Sequence, residues 1–191
     1  MMQAIRVVGL ISDTHGLLRP EALAALQGSD LIIHAGDIGG LEILRRLEAV
    51  APLLTVRGNN DKEQWAADLP TTALVQAAGV TILVIHDVKE LAAGELPAGV
   101  RVVVSGHSHK PVCERRGAIL FVNPGSAGPR RFRLPVCVGR LEIRAGGHID
   151  AALQELVLAP GAPRLPGAVR RVRSPARHCC RWRRLRSPPA T

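Results

Sequence analysis

Aromatic side chains are nearly absent: two Trp, two Phe and no Tyr, 2% of a 191-residue chain. A protein that grips single-stranded nucleic acid by stacking its bases needs such rings, so that class is disfavoured. No apolar run approaches the ~20 residues of a membrane-spanning helix. The first one, residues 5–11, contains Arg6 and is cut off by Asp13, too short for a signal-peptide core. The expectation is a cytoplasmic protein with no membrane partner. Cysteines number four and form no CxxC pair. Cys113 and Cys137 in the body read as small buried apolar residues, while Cys179 and Cys180 fall near the end. Acidic residues are missing altogether from 159–191, which hold nine Arg. The net charge of +9 therefore belongs to that segment, and residues 1–158 balance 16 basic against 16 acidic groups. Basicity of this kind does not mark the folded part as a specific nucleic-acid binder, although the tail can hold polyanions without sequence preference.

What the chain has in quantity is Val, Leu, Ile and Ala, within a hydrophobic content of 47%, enough for the core of one ordinary domain. Five apolar runs, 5–11, 31–34, 53–56, 80–85 and 100–104, have the look of strands buried on both faces. Helical patterns lie between the early ones. Residues 20–27 start at Pro20, bury Leu23 and Leu26 and stop before Gly28. Residues 41–50 carry Leu41, Leu44 and Leu47 at spacing three. Strand alternating with helix predicts a parallel sheet. After residue 110 the pattern becomes hairpins: 112–115 with 118–122 around Gly117, and 134–143 with 148–158 around Ala145-Gly146-Gly147. Periodicity alone does not exclude a helix over 151–158. The whole predicts a two-sheet α/β sandwich over residues 1–158. Residues 159–191, rich in Pro, Arg, Ala and Ser, bury too little to offset ordering entropy and are expected to be a tail without structure.

Each strand candidate leads into a potential metal ligand: Asp13-Thr14-His15, then Gly36-Asp37, Gly58-Asn59-Asn60-Asp61, His86-Asp87 and Gly106-His107-Ser108-His109. Parallel strands bring such termini to one sheet edge, where ligands bind. The pairs Asp13/His15 and His107/His109, two residues apart, point the same way if the chain is extended there. Singly, each segment also reads as a helix cap, a turn or a solvated histidine. Their joint occurrence in order favours a site of Asp13, His15, Asp37, Asn59, His86, His107 and His109. Seven nitrogen and oxygen ligands exceed what one catalytic ion uses and suit two, sharing a carboxylate. The mixed nitrogen and oxygen donor set favours Mn, Fe, Co, Ni or Zn over Ca and Mg and does not choose among them. Two such ions lower the pKa of a water held between them and supply a nucleophile near neutral pH.

These segments, Ile11-Ser12-Asp13-Thr14-His15-Gly16, His34-Ala35-Gly36-Asp37, Gly58-Asn59-Asn60-Asp61, Ser105-Gly106-His107-Ser108-His109 and Asn123-Pro124-Gly125-Ser126, resemble those of the calcineurin-like metallophosphoesterase superfamily. Within it they are similar to the small bacterial and archaeal phosphodiesterases of the YfcE type. The resemblance spans roughly residues 4–158. It implies a four-layer α/β/β/α sandwich of two mixed sheets, and activity as a two-metal phosphoesterase on small phosphate esters. By position, Asp13, His15, Asp37 and His109 would hold one ion, and Asp37, Asn59, His86 and His107 the other, with Asp37 bridging. Asp37, Asn59, Asn60 and His107 would form the catalytic group, and Asn60, Asn123 and Ser126 would border the substrate.

Two positions depart from the pattern. Many superfamily members carry a His where Asn60 stands, and Asn cannot donate a proton near neutral pH. The histidine segment is commonly His-Gly, here His86-Asp87, whose carboxylate can hold an outer water or restrict substrate. His34 reads as a core or outer-layer histidine, and His148 and His178 as solvated. The Arg130, Arg131 and Arg133 cluster reads equally as a phosphate attractor or a solvated loop. The alternative to an enzyme is a non-catalytic scaffold on the same fold, as in the retromer sorting subunit that resembles this family; retention of all seven ligands favours the enzyme. The sequence leaves a homo-oligomer open.

Overall fold

The structure, a computed structural model, describes residues 6–91, 96–131, 133–158 and 180–184. Two mixed sheets pack face to face. The first has the order β11-β10-β9-β1-β2-β3 and the second β4-β5-β6-β8-β7. The strands are β1 Val7–Ile11, β2 Leu31–His34, β3 Leu53–Thr55, β4 Thr72–Ala77, β5 Val80–Ile85 and β6 Val100–Val104. They continue with β7 Val112–Arg116, β8 Ile119–Asn123, β9 Cys137–Arg144, β10 His148–Glu155 and β11 Cys180–Arg184. Strands β1, β2 and β3 are parallel, as are β5, β6 and β8.

Side-chain alternation divides the apolar residues. Leu10 and Ile33 of the first sheet and Ile82, Val84, Val102 and Val104 of the second meet in the central core. Ile11 and Ile32 face the other way, against helices α1 Pro20–Leu26 and α2 Leu41–Glu48. Burying such an aliphatic side chain contributes about 1.5–3 kcal/mol, which fixes the register because a one-residue slip would turn each to the wrong side. Leu83, Ile85 and Val103 form a thinner outer layer with Val88, Leu91 and Leu96. Among the described residues that face is covered by a segment with one short 3₁₀ turn, Val88–Glu90, and not by an α-helix. No helix among the described residues is long and apolar enough to cross a membrane.

The second hairpin forms as expected: residues 148–155 are strand throughout, paired with β9 from His148↔Arg144 to Glu155↔Cys137. Two features differ from the sequence expectation. Strand β11 lies within the segment expected to lack structure; it pairs parallel to β10 from Ala151↔Cys180 to Glu155↔Arg184. Backbone pairing on an open sheet edge requires no apolar side chains, which is why composition does not announce it. The rest of the predicted tail, 159–179 and 185–191, lies outside the described residues. Finally, Cys137 is buried and free, but Cys113 is half-buried and disulfide-bonded, a cross-link where a small apolar residue was expected.

Candidate metal centre

The parallel strands of both sheets release their chains at one edge, and the connecting turns interlock there. Asp13 N–H donates to the Gly36 carbonyl (3.0 Å), His15 N–H to that of Asp37 (2.9 Å) and Gly16 N–H to that of Ile38 (2.9 Å). Gly106 N–H donates to the His86 carbonyl (2.9 Å), tying the second sheet's exits together. Convergence does not use the extended geometry expected of the i, i+2 pairs. Asp13 (φ 53°), His15 (45°), Asp37 (56°), His107 (64°) and His109 (56°) are all left-handed; among the described non-glycine residues only Ala78 joins them. Left-handed backbone at side chains with a β-carbon is strained, and its concentration here marks a functional constraint. Gly58 is needed for the same packing: a β-carbon there would lie 2.2 Å from both the nitrogen and Oδ1 of Asp37.

All seven expected ligands come together. His15 Nε2 stands 3.3 Å from His109 Nε2, and the latter 3.4 Å from Asp13 Oδ1. Asn59 Oδ1 lies 3.0 Å from both His86 Nε2 and His107 Nδ1. Between these groups sits Asp37, with Oδ2 3.8 Å from His15 Nε2 and Oδ1 3.4 Å from His86 Nε2. Two triads, Asp13/His15/His109 and Asp13/Asp37/His86, have ligand atoms within 4.8 Å of one another.

The electrostatics fit a cation. Asp13 is buried, its Oδ1 has no hydrogen-bond partner, and burial raises its carboxyl to about 6 despite a bond from the Ser12 hydroxyl. An ionised carboxylate in that position lacks compensation that a cation provides. For Asp37, burial is outweighed by hydrogen bonds from His86 and Asn60 and by the His86 charge, which hold it well below the usual carboxylate range. Burial lowers His109 to about 4, helped by the charges of Arg131 and His15. Burial likewise lowers His15, partly offset by Asp37. His86 goes the other way: burial opposes its cation, but Asp37 and the Ala35 carbonyl overcome it. The short contact of His86 Nδ1 to Ala35 O (2.7 Å) requires Nδ1 to carry the proton, leaving Nε2 free to bind.

Other predicted residues take supporting positions. Asn60 donates from its backbone N–H to Asp37 Oδ1 (2.8 Å) and from Nδ2 to Oδ2 (2.6 Å). Asn123 is buried, donating to the Gly106 carbonyl and to Ser108 Oγ, and accepting from Gly125 N–H. Ser126, also buried, donates to the Asp13 carbonyl. Asp87 lies 3.5 Å from His107 Nε2. His34 is fully buried behind Thr14. The sequence reading gave no separate role to Asp61, which accepts backbone N–H groups from Ile38, Gly39 and Gly58 and so clamps two strand exits. Its place in Gly58-Asn59-Asn60-Asp61 was the only signal.

Residues 7–146 match the calcineurin-like phosphoesterase superfamily domain. A probable metallophosphoesterase of Methanothermobacter thermautotrophicus is 33% identical, covering 82% of this chain and 94% of its own. The Escherichia coli phosphodiesterase YfcE is 31% identical over 69% of this chain and 84% of its own. Its solved structure superposes with a TM-score of 0.57, covering 75% of this chain and 96% of that one at 27% identity. The Zn-complexed Vps29 of Entamoeba histolytica shares the fold, with a TM-score of 0.59 at 22% identity over 77% of this chain and 97% of its own. With the strand-end candidate ligands meeting at one sheet edge and this match over most of its length, the chain belongs to the calcineurin-like phosphoesterase superfamily.

Proposed function

We propose that this protein is a phosphodiesterase that hydrolyses small phosphate esters with two divalent transition-metal ions, Mn²⁺ first among them. The observation that carries the reading is Asp37, whose two carboxylate oxygens face different histidines, Oδ2 toward His15 and Oδ1 toward His86. One ion would be held by Asp13, His15, Asp37 and His109, the other by Asp37, Asn59, His86 and His107. Bound there, the ions supply Lewis acidity and a water of lowered pKa. The protein's own groups do the rest. Asn60 donates from its backbone N–H and its Nδ2 to the two carboxylate oxygens of Asp37 and so orients them. The Ala35 carbonyl fixes the His86 tautomer. A cavity of roughly 420 Å³ beside Asn59, bordered by Arg57, Lys62 and Gln64, gives room for an ester arm. Position 60 supplies no proton to a leaving group, and general acid catalysis is worth roughly 10²–10⁴-fold, so activated diesters are favoured over alkyl monoesters. The phosphodiesterase name of YfcE supports the same class. We place the activity in the cytoplasm.

The test is metal analysis joined to a substrate panel. About two ions per chain are expected, with hydrolysis of bis(p-nitrophenyl) phosphate lost on chelation, restored by Mn²⁺, and faster than that of alkyl monoesters. At most one ion at saturation removes the dinuclear reading. A fully loaded protein that cleaves no phosphate ester is a scaffold.

A further inference from the structure

Arg131 is not part of the ligand set, yet its Nη2 stands 3.4 Å from His15 Nε2. Its charge bears on both His15 and His109. The position is built into the fold. Three residues earlier, Gly128 packs so closely on the Asp13–His15 turn that a β-carbon there would lie 2.2 Å from the Thr14 carbonyl oxygen. The Gly128 carbonyl accepts from Nε of Arg19, itself only 8% exposed (3.2 Å). Gly128 N–H donates to Ser126 Oγ, which donates to the Asp13 carbonyl. Leu134 N–H then closes a turn onto the Arg131 carbonyl (3.1 Å). Among the described residues Arg131 pairs with no carboxylate.

A guanidinium stays charged at any pH the protein meets. Standing next to a nitrogen set out for a metal ion, it is repelled by whatever cation that nitrogen holds, unless an anion lies between them. The geometry points to Arg131 as an anion-binding residue of the centre, taking a non-bridging phosphoryl oxygen on the His15/His109 side. Its planar fork matches phosphoryl oxygens in a way a lysine does not. The inference rests on the phosphoesterase reading and sharpens it: the free phosphate group of a product or inhibitor, with more negative charge than a diester, should be held more tightly than the diester is.

The experiment is calorimetric titration of the full chain with two probes, Mn²⁺ alone and inorganic phosphate, in the parent, Arg131→Gln, Arg131→Lys and Arg133→Gln. A hydrogen bond to a charged group corresponds to roughly 10–100-fold in affinity. Arg131→Gln is expected to weaken phosphate binding to the Mn²⁺-loaded protein by at least about tenfold. It should also tighten Mn²⁺ binding in phosphate-free buffer, because a repelling charge is gone. Structural damage would weaken both, so opposite signs identify the role. Arg131→Lys should recover only part of the phosphate affinity. Equal phosphate affinity in the parent and Arg131→Gln overturns the proposal, and so does an equal loss in Arg133→Gln, which would indicate surface charge alone. Ester hydrolysis is read separately. An Arg131-dependent phosphate site in a protein that cleaves no ester keeps this inference and removes the phosphodiesterase; hydrolysis with Arg131-independent phosphate binding does the reverse.

Discussion

The carboxylate of Asp87 lies 3.5 Å from Nε2 of His107, while the opposite ring nitrogen, Nδ1, lies 3.0 Å from Asn59 Oδ1. The residue that follows His86 thus faces the outer nitrogen of another candidate ligand. A carboxylate there favours the tautomer with the proton on Nε2 and turns Nδ1 inward, an arrangement that makes metal-binding histidines better donors. Asp87→Ala is expected to weaken the second Mn²⁺ binding step by roughly 10–100-fold, leaving the first less affected. Asp87→Asn, which keeps an acceptor oxygen, should fall between. Two-step calorimetry reads both, and an unchanged second step would show that Asp87 does not hold the ring.

Asp37 and His15 differ in how many partners depend on them. Asp37 faces both histidine groups, whereas His15 stands on the His109 side alone, beside Asp37 and Arg131. Asp37→Asn should therefore lower diester hydrolysis more than His15→Ala, by roughly tenfold or more, about 1.4 kcal/mol. Rates at saturating Mn²⁺ decide it; equal losses would remove the bridging assignment.

Much of this was legible because it depends on local pattern. Runs such as Val80–Ile85 and Val100–Val104 are apolar at nearly every position, as strands covered on both faces must be. Strand β4, Thr72–Ala77, was not anticipated: it lies at a sheet edge and alternates exposed Thr72, Leu74 and Gln76 with half-buried neighbours. The candidate ligands that meet at the sheet edge were legible from their order at strand ends. Their left-handed backbone was not, because Asp and His carry no glycine-like signature of it. Nor were the aims of Asn60 at Asp37 and of Arg131 at His15, the second spanning 116 residues, since such contacts are set by how turns stack.

Cys137 offers a check on packing away from the centre. Burial, aided by the charge of Glu155, pushes its thiol up to about 12, and the thiolate is the reactive form. Iodoacetamide at pH 8 should leave Cys137 unlabelled in the native protein and modify it fully in guanidinium chloride, as read by peptide mass spectrometry. Rapid native labelling would mean that β9 opens far more readily than its buried position implies.

His34 gives the protein a defined acid sensitivity. Its Nδ1 accepts from Gly36 N–H (3.2 Å), so the proton rests on Nε2 and is donated to Thr14 Oγ1 (2.9 Å), whose own hydrogen goes to the Ile38 carbonyl (2.8 Å). No lone pair is left for a second proton without breaking the Gly36 bond. Burial, reinforced by the charge of His86, lowers this ring from 6.5 to about 3. Between those values the unfolded chain binds a proton at His34 that the folded chain does not. Stability must therefore fall as pH drops from 6.5 toward 3, with a slope from this residue approaching about 1.4 kcal/mol per pH unit. Asp13, raised to about 6, acts with the opposite sign, since the folded state there binds the extra proton. Comparing the parent with His34→Gln cancels that contribution. The variant should be less stable at pH 7, where it loses the Thr14 and Gly36 bonds, yet its stability should decline less steeply toward pH 4. Urea unfolding across that range, in chelator so that metal release does not add its own pH dependence, supplies the two slopes. Parallel slopes would mean that His34 is not held neutral in the folded protein.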